Sequence, residues 1–216
     1  MLNIIDTNDL EKTRQLLKEV YPDALKFDDQ KFLYWEYFLS PNGLVIQKNL
    51  DLESNRIGHY ALVPQRWILD GEELNVALSL NTAISKPHRL KGQFKKLAEA
   101  TFSAAESGGI DAIVGVANKN STWAFVNRLG FTNLGALETR VIFRKEFSKP
   151  ALAERISKSD LANFIQSNQG SFDDENGFHR VWDDQEINWR LASPSTSFDS
   201  FSLQNALIIS TASKFK

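Results

Sequence analysis

The segment 75–117 constrains the fold more than any other part of the chain. Asn75 to Ser85 alternates strictly. Val76, Leu78, Leu80, Thr82 and Ile84 fall on one side, and the small or polar Ala77, Ser79, Asn81 and Ala83 fall on the other. A period of two predicts a strand with one core face, its second face lightly filled or turned to a ligand. Residues 92–106 then set Phe94, Leu97, Ala98, Thr101, Phe102 and Ala105 on one helical stripe, closed by Gly108-Gly109. Residues 110–117 are nearly all apolar, as in a strand covered on both faces. Strand, crossover helix and strand make a βαβ unit, so 75–85 and 110–117 are predicted to be parallel neighbours.

Other elements gather around this unit. Leu2–Asp6 reads as a short strand. Leu10, Leu17, Val20 and Tyr21 recur at helical spacing until Pro22, and an aromatic helix is predicted over 28–39. Ser40-Pro41-Asn42-Gly43 is a turn signal, and strands are expected at 44–47 and 57–69. Asp70-Gly71 is a hairpin dipeptide. A short helix over 121–129 stops at Gly130, and 131–144 returns to strand texture. Beyond Pro150, 158–168 look helical and 170–180 loop-like. Asp183-Asp184-Gln185, Trp189, Ser193-Pro194 and an aliphatic run at 206–210 echo Asp28-Asp29-Gln30, Trp35, Ser40-Pro41 and the strand at 44–47. That echo is consistent with a partial internal duplication.

Composition narrows the chemistry. With 0 Cys, disulfides, thiolate zinc sites and cysteine nucleophiles are excluded. His59, His88 and His179 stand too far apart in sequence for metal-ligand spacing, so no metal is expected. A net charge of −2 gives no global signal for nucleic acid or an anionic membrane. No apolar run approaches the roughly 20 residues of a membrane span, and Met1–Asp6 lacks the regions of a signal peptide. The expectation is a cytoplasmic protein with neither nucleic acid nor membrane as partner. A homodimer is compatible with the sequence.

The stretch Pro87–Phe94 carries the clearest chemistry. It lies between an alternating strand and an amphipathic helix, whose first turn offers unpaired N–H groups and a positive dipole end. Such a junction binds anions. Gly92 permits close backbone approach, and Arg89, Lys91, Lys95 and Lys96 add full charges. A Gly and some lysines on a solvated face is the plainer explanation of the same residues.

Arg89-x-x-Gly92-x-Phe94 resembles the acyl-CoA pyrophosphate loop of the GNAT superfamily of N-acyltransferases, with Phe94 departing where that loop has a small residue. Asn118-Lys119-Asn120-Ser121 through Asn127-Arg128-Leu129-Gly130-Phe131 is similar to a second GNAT segment, where an Asn follows the second parallel strand and a short helix ends in Gly-Phe. The resemblance covers 1–145 and implies an α+β fold: a mixed, mostly antiparallel sheet with one splayed parallel pair and helices on both faces. Residues 146–216 form an extension expected to complete the sheet, its strand 206–210 pairing with 131–144.

The resemblance also implies a site. Acetyl-CoA would dock where the parallel strands diverge, with pantetheine on the backbone of Thr82, Ala83 and Ile84. Its pyrophosphate would meet Arg89, Leu90, Lys91, Gly92, Gln93 and Phe94, with Asn118, Ser121 and Phe125 at the pantetheine end. Asn118 and Ser121 read equally as helix caps. Val126 stands where many GNAT enzymes have the Tyr that protonates the departing thiolate. For the base, His59 has a suitable ordinary pKa. Glu138 is a weaker candidate, and a water relayed by Ser79 or Asn81 an equal one. The expected function is transfer of an acyl, normally acetyl, group from acyl-CoA to the amine of a small molecule such as an amino sugar or amino acid. The alternatives are a catalytically impaired CoA-binding module, or the first part of a duplicated GNAT-type aminoacyl transferase.

Overall fold

In the computed structural model, which describes residues 7–89, 92–118, 121–136, 153–168, 177–203 and 206–211, the first part of the chain runs in order through α1 (Thr7–Val20), α2 (Gln30–Phe38), β1 (Ile46–Leu52), β2 (Asn55–Leu69), β3 (Glu72–Ile84), α3 (Gln93–Ser107), β4 (Ala112–Gly115) and α4 (Thr122–Leu129). Then follow β5 (Glu154–Arg155), α5 (Lys158–Asn168), β6 (Phe178–Arg180), α6 (Asp184–Leu191), β7 (Phe198–Leu203) and β8 (Ala206–Thr211).

Asp70 and Gly71 both take positive φ, 50° and 86°. That is what a two-residue turn matching the strand twist requires. It joins β2 and β3, the two longest strands, in antiparallel register from Leu69↔Glu72 to Gly58↔Ile84. β1 pairs with the first half of β2, and β6 with Trp67–Leu69 farther along it. On the far side of β3, β4 runs parallel from Val76↔Ala112 to Ser79↔Gly115. α3 makes the crossover the sequence predicts. The sheet order is β1-β2-β3-β4, with β6 beside β2.

Helices cover both faces. Leu10, Leu16 and Leu17 of α1 and Phe32, Leu33, Trp35 and Tyr37 of α2 bury one face together with Ala61 and Ala83. Leu97, Ala98 and Ala105 of α3 bury the other with Tyr60, Leu62, Ala77 and Ile84. Ala77 is buried against α3 and Ala83 against α1 and α2, so both are core and not the lightly filled surface expected of them. Those residues are small because a helix rests on them.

One register break shapes β3. Leu80 faces Ala61 and Ala83 faces His59, so Asn81 and Thr82 together oppose the single residue Tyr60. This is a β-bulge, with Asn81 at φ 50°. It reverses the inward alternation: Ala77 and Ile84, of opposite parity, share one core.

Several boundaries differ from expectation. β1 begins at Ile46 and runs to Leu52, and 131–136 form no regular element. β4 is half-buried, not covered on both faces, and 178–180 form a strand where a loop was expected. The strand 206–211 joins β7 and β5 in a separate three-stranded sheet and does not extend the main one. The strands expected at Leu2–Asp6 and over 137–144 lie outside the described residues.

Candidate active site

Two strands paired side by side must eventually part, and here β3 and β4 do so early. Their last matched pair is Ser79↔Gly115, yet β3 continues to Ile84. The bulge at Asn81–Thr82 follows the last pair within three residues. Past it, β3 leads through Ser85 and a single turn at Lys86–His88 into Gly92, which caps α3 in the left-handed conformation with φ 74°. Among the described residues, a Cβ built on Gly92 meets nothing within 4 Å, and no side chain caps the first turn of α3. Arg89 is anchored to the strand end, its Nε donating to the Ile84 carbonyl at 3.0 Å. His88 Nδ1 lies 2.8 Å from Ser85 Oγ in the same turn. Leu90 and Lys91, expected to hold phosphate, lie outside the described residues.

Aromatic packing closes one side of the parting. Phe94 meets Phe125 edge-on at 5.9 Å and Tyr60 at 6.5 Å, and Phe125 meets Phe131 at 5.1 Å. Phe94, which departs from the resembled loop, packs its ring in the α3–α4 contact. Asn118 and Ser121 precede α4: Ser121 N donates to Asn118 Oδ1 at 3.1 Å, and Asn118 N donates to Ser121 Oγ at 3.1 Å. Thr122 Oγ1 adds a bond to the Asn118 carbonyl. These bonds tie Asn118 and Ser121 to each other ahead of α4, while the Ser121 hydroxyl makes no cap bond to the helix itself. Val126 is partly exposed on α4.

The three residues singled out for catalysis sit at different depths. His59 has no solvent exposure. Its Nε2 lies 2.8 Å from Tyr37 Oη and its Nδ1 faces the Asn49 side-chain amide. Burial, with help from the Arg56 charge, lowers its pKa to about 3. A sealed ring held neutral near pH 7 reaches no acceptor amine, and His59 is withdrawn as the base. Ser79 is spent on Tyr60, with the hydroxyls 2.8 Å apart. Asn81 alone stands at the parting. Its Nδ2 donates to Glu36 Oε2 at 2.6 Å and to Tyr37 Oη at 3.0 Å. Ala83 and Ile84 are buried behind it, and the Thr82 carbonyl already accepts the Tyr21 hydroxyl at 2.5 Å. Glu138 lies outside the described residues.

Sequence reasoning missed Glu36 and Tyr21. Glu36 is a carboxyl flanked by Trp35 and Tyr37 in a helix read as aromatic core; its only signal was being the one carboxyl within α2. It is buried, and burial raises its pKa against the opposing effects of Lys26, Asn81 and Arg190. Tyr21 closes α1, and nothing local connects it to a residue sixty-one positions away. Among the described residues no cluster of three or more His, Asp or Glu is arranged to hold a metal, and no helix is long and apolar enough to cross a membrane.

No protein-family model matches the chain, and no curated protein matches it in sequence. Solved structures do match in shape. The BH1408 protein from Bacillus halodurans, in a mutant form, aligns with a TM-score of 0.50 at 13% identity, over 62% of this chain and 94% of its own. Glucosamine-6-phosphate N-acetyltransferase from Arabidopsis thaliana aligns at 0.48 and 11% identity, over 63% and 93%. An acetyltransferase from Trypanosoma brucei aligns at 0.48 and 16%, over 64% and 96%.

Proposed function

We propose that this chain, whose fold is that of the GNAT superfamily, is an N-acyltransferase that moves an acyl group, normally acetyl, from acyl-CoA to the amine of a small molecule. The observation that carries this reading is the parting of β3 from β4 immediately beyond Ser79↔Gly115, on a strand that ends at the helix N-terminus capped by Gly92. A parting of this kind exposes strand backbone able to pair with the two amides of a pantetheine arm. The first turn of α3, with Arg89, Lys95 and Lys96 near it, suits the pyrophosphate. No metal is needed, because a thioester is already activated toward an amine. The chain then has to bind CoA, admit the amine and manage protons. The test is thermal shift with acetyl-CoA, longer acyl-CoAs and free CoA, followed by thiol release with amino sugars and amino acids. Ligand at a hundredfold excess over Kd stabilises by about 2.7 kcal/mol. Absence of a shift with every thioester refutes the reading.

A second reading, a duplicated aminoacyl-transferring arrangement, is favoured by the C-terminal unit. Asp29 caps α2 and Asp183 caps α6, each through its own carboxylate. Trp35 and Trp189 follow those caps at equal spacing and stack at 4.6 Å, and each indole N–H donates to the other's carbonyl. An antiparallel strand pair follows each helix: β1–β2 after α2 and β7–β8 after α6. Transfer from an aminoacyl donor without any CoA-thioester shift selects this reading over the first.

A further inference from the structure

We propose that Glu36 removes the proton from the acceptor amine, its carboxyl held by Asn81 at the β3 bulge, two residues beyond the last β3–β4 pair. This deepens the acyltransfer reading and rests on it. Glu36 is 8% exposed and, among the described residues, forms no ion pair within salt-bridge distance. Burying a carboxyl without a close cation costs several kcal/mol unless something repays it. Phe32 and Leu33, one turn earlier on the same face of α2, are buried, so that face accepts apolar side chains. A carboxyl retained there, beside the one bulge of the central strand, points to chemistry.

The groups around it define how it can act. Asn81 approaches from β3 and occupies Oε2 at 2.6 Å. Lys26, from the turn before α2, and Arg190, from α6, supply positive potential from either side. Tyr37 is the adjacent residue on α2, and its hydroxyl links Asn81 to His59. Asn81 adopts its left-handed conformation at φ 50°, a position that costs a non-glycine residue about 1 kcal/mol or more. The amide is thus fixed by two acceptors, and the carboxyl by the amide. Burial is the largest influence on the carboxyl and raises its pKa, toward the range where a general base works at neutral pH.

The step balances as follows. The acceptor arrives as R–NH3+, and Glu36 takes one proton to give R–NH2. The nitrogen lone pair attacks the thioester carbonyl; the C–N bond forms, the C–S bond breaks, and its electron pair leaves on sulfur. The second nitrogen proton goes to that thiolate, giving the amide and CoA thiol. Glu36 then returns its proton to solvent.

Glu36→Gln keeps an oxygen for Asn81 and removes the base. The experiment measures thiol release from acetyl-CoA against pH with a panel of amino acids and amino sugars, beside thermal shift with acetyl-CoA alone. Expected are an unchanged acetyl-CoA shift, kcat/KM lower by roughly 10²–10⁴-fold, and loss of the acid limb seen in the parent. A second readout needs no acceptor. A carboxyl whose folded pKa is raised favours folding fully below its unfolded value near 4.5 and loses that contribution as pH rises through the folded pKa. Glu36→Gln should therefore melt above the parent at pH 8, with the gap closing below pH 4.5. A variant that keeps the parent's rate and acid limb overturns the inference and leaves acyltransfer standing. So does equal Tm at both pH values. An acetyl-CoA shift in the parent with no amine-dependent thiol release overturns acyltransfer and the inference together, and leaves CoA binding alone. A parent with no acetyl-CoA shift overturns the acyltransfer reading itself.

Discussion

Burial takes the His59 imidazole from its ordinary 6.5 to about 3. The unfolded chain therefore binds a proton that the folded protein refuses, and stability present above pH 6.5 is lost as pH falls toward 3. Each pH unit of that window is worth about 1.4 kcal/mol. Urea melts of parent and His59→Gln between pH 7 and 4 should show the parent losing stability more steeply. Parallel pH curves would contradict the burial argument. His59 and Tyr60, adjacent on β2, turn to opposite faces, toward α2 and α3, since period two reports the face. It does not report depth, and depth removes His59 from the chemistry. Gly58 makes the same point from the packing side. A Cβ there would meet Ile84 Cδ1 at 3.0 Å, Leu50 Cβ at 3.1 Å and Leu97 Cδ2 at 3.3 Å. Gly58→Ala should cost about 1–3 kcal/mol by overpacking α3 against the sheet, read as a lower urea midpoint at unchanged slope.

Elements follow local chemistry where that chemistry is self-contained. Asp29 ends the irregular turn before α2 and accepts Lys31 N at 2.9 Å, which satisfies one orphan donor of the first turn. Asp29→Ala should lower stability by about 1 kcal/mol in equilibrium unfolding. The Asp70-Gly71 turn, the α3 stripe, Gly130 after α4 and the parallel β3–β4 pair were all legible, because each is set by neighbours in sequence. The bulge was not. An inserted residue keeps every side chain of the alternating pattern and changes only what the later ones face, so the core of β3 was half assigned. The same bulge aims Asn81 at Glu36, and a helix of aromatic residues gives no local hint that its one carboxyl meets a strand forty-five positions later.

At the scale of the molecule, the C-terminal unit is joined to the main sheet by polar and aromatic contacts. Glu186, buried in α6, accepts Arg180 and also Asn42 Nδ2, the latter at 2.5 Å, while Arg66 pairs with Asp183. Trp189 covers Trp35, and Phe178 stacks on Trp67 at 4.4 Å. Glu186→Ala leaves Arg180 buried without its carboxylate and should cost about 3–5 kcal/mol, read as a fall in Tm. Truncation at Pro150 strips these covers and should yield insoluble protein or a non-cooperative melt. The echo of Asp, Trp and Ser-Pro in the sequence pointed to Trp35 and Trp189, but their stacking at 4.6 Å could be seen only in three dimensions.

The central claim is that CoA enters where β3 and β4 part, and a crystal structure of the protein with CoA tests it most directly. The account predicts pantetheine along Leu80–Ile84 with its sulfur near Asn81, and pyrophosphate on the first turn of α3 beside Arg89. CoA bound anywhere else, or density for it nowhere at millimolar concentration, would contradict the account.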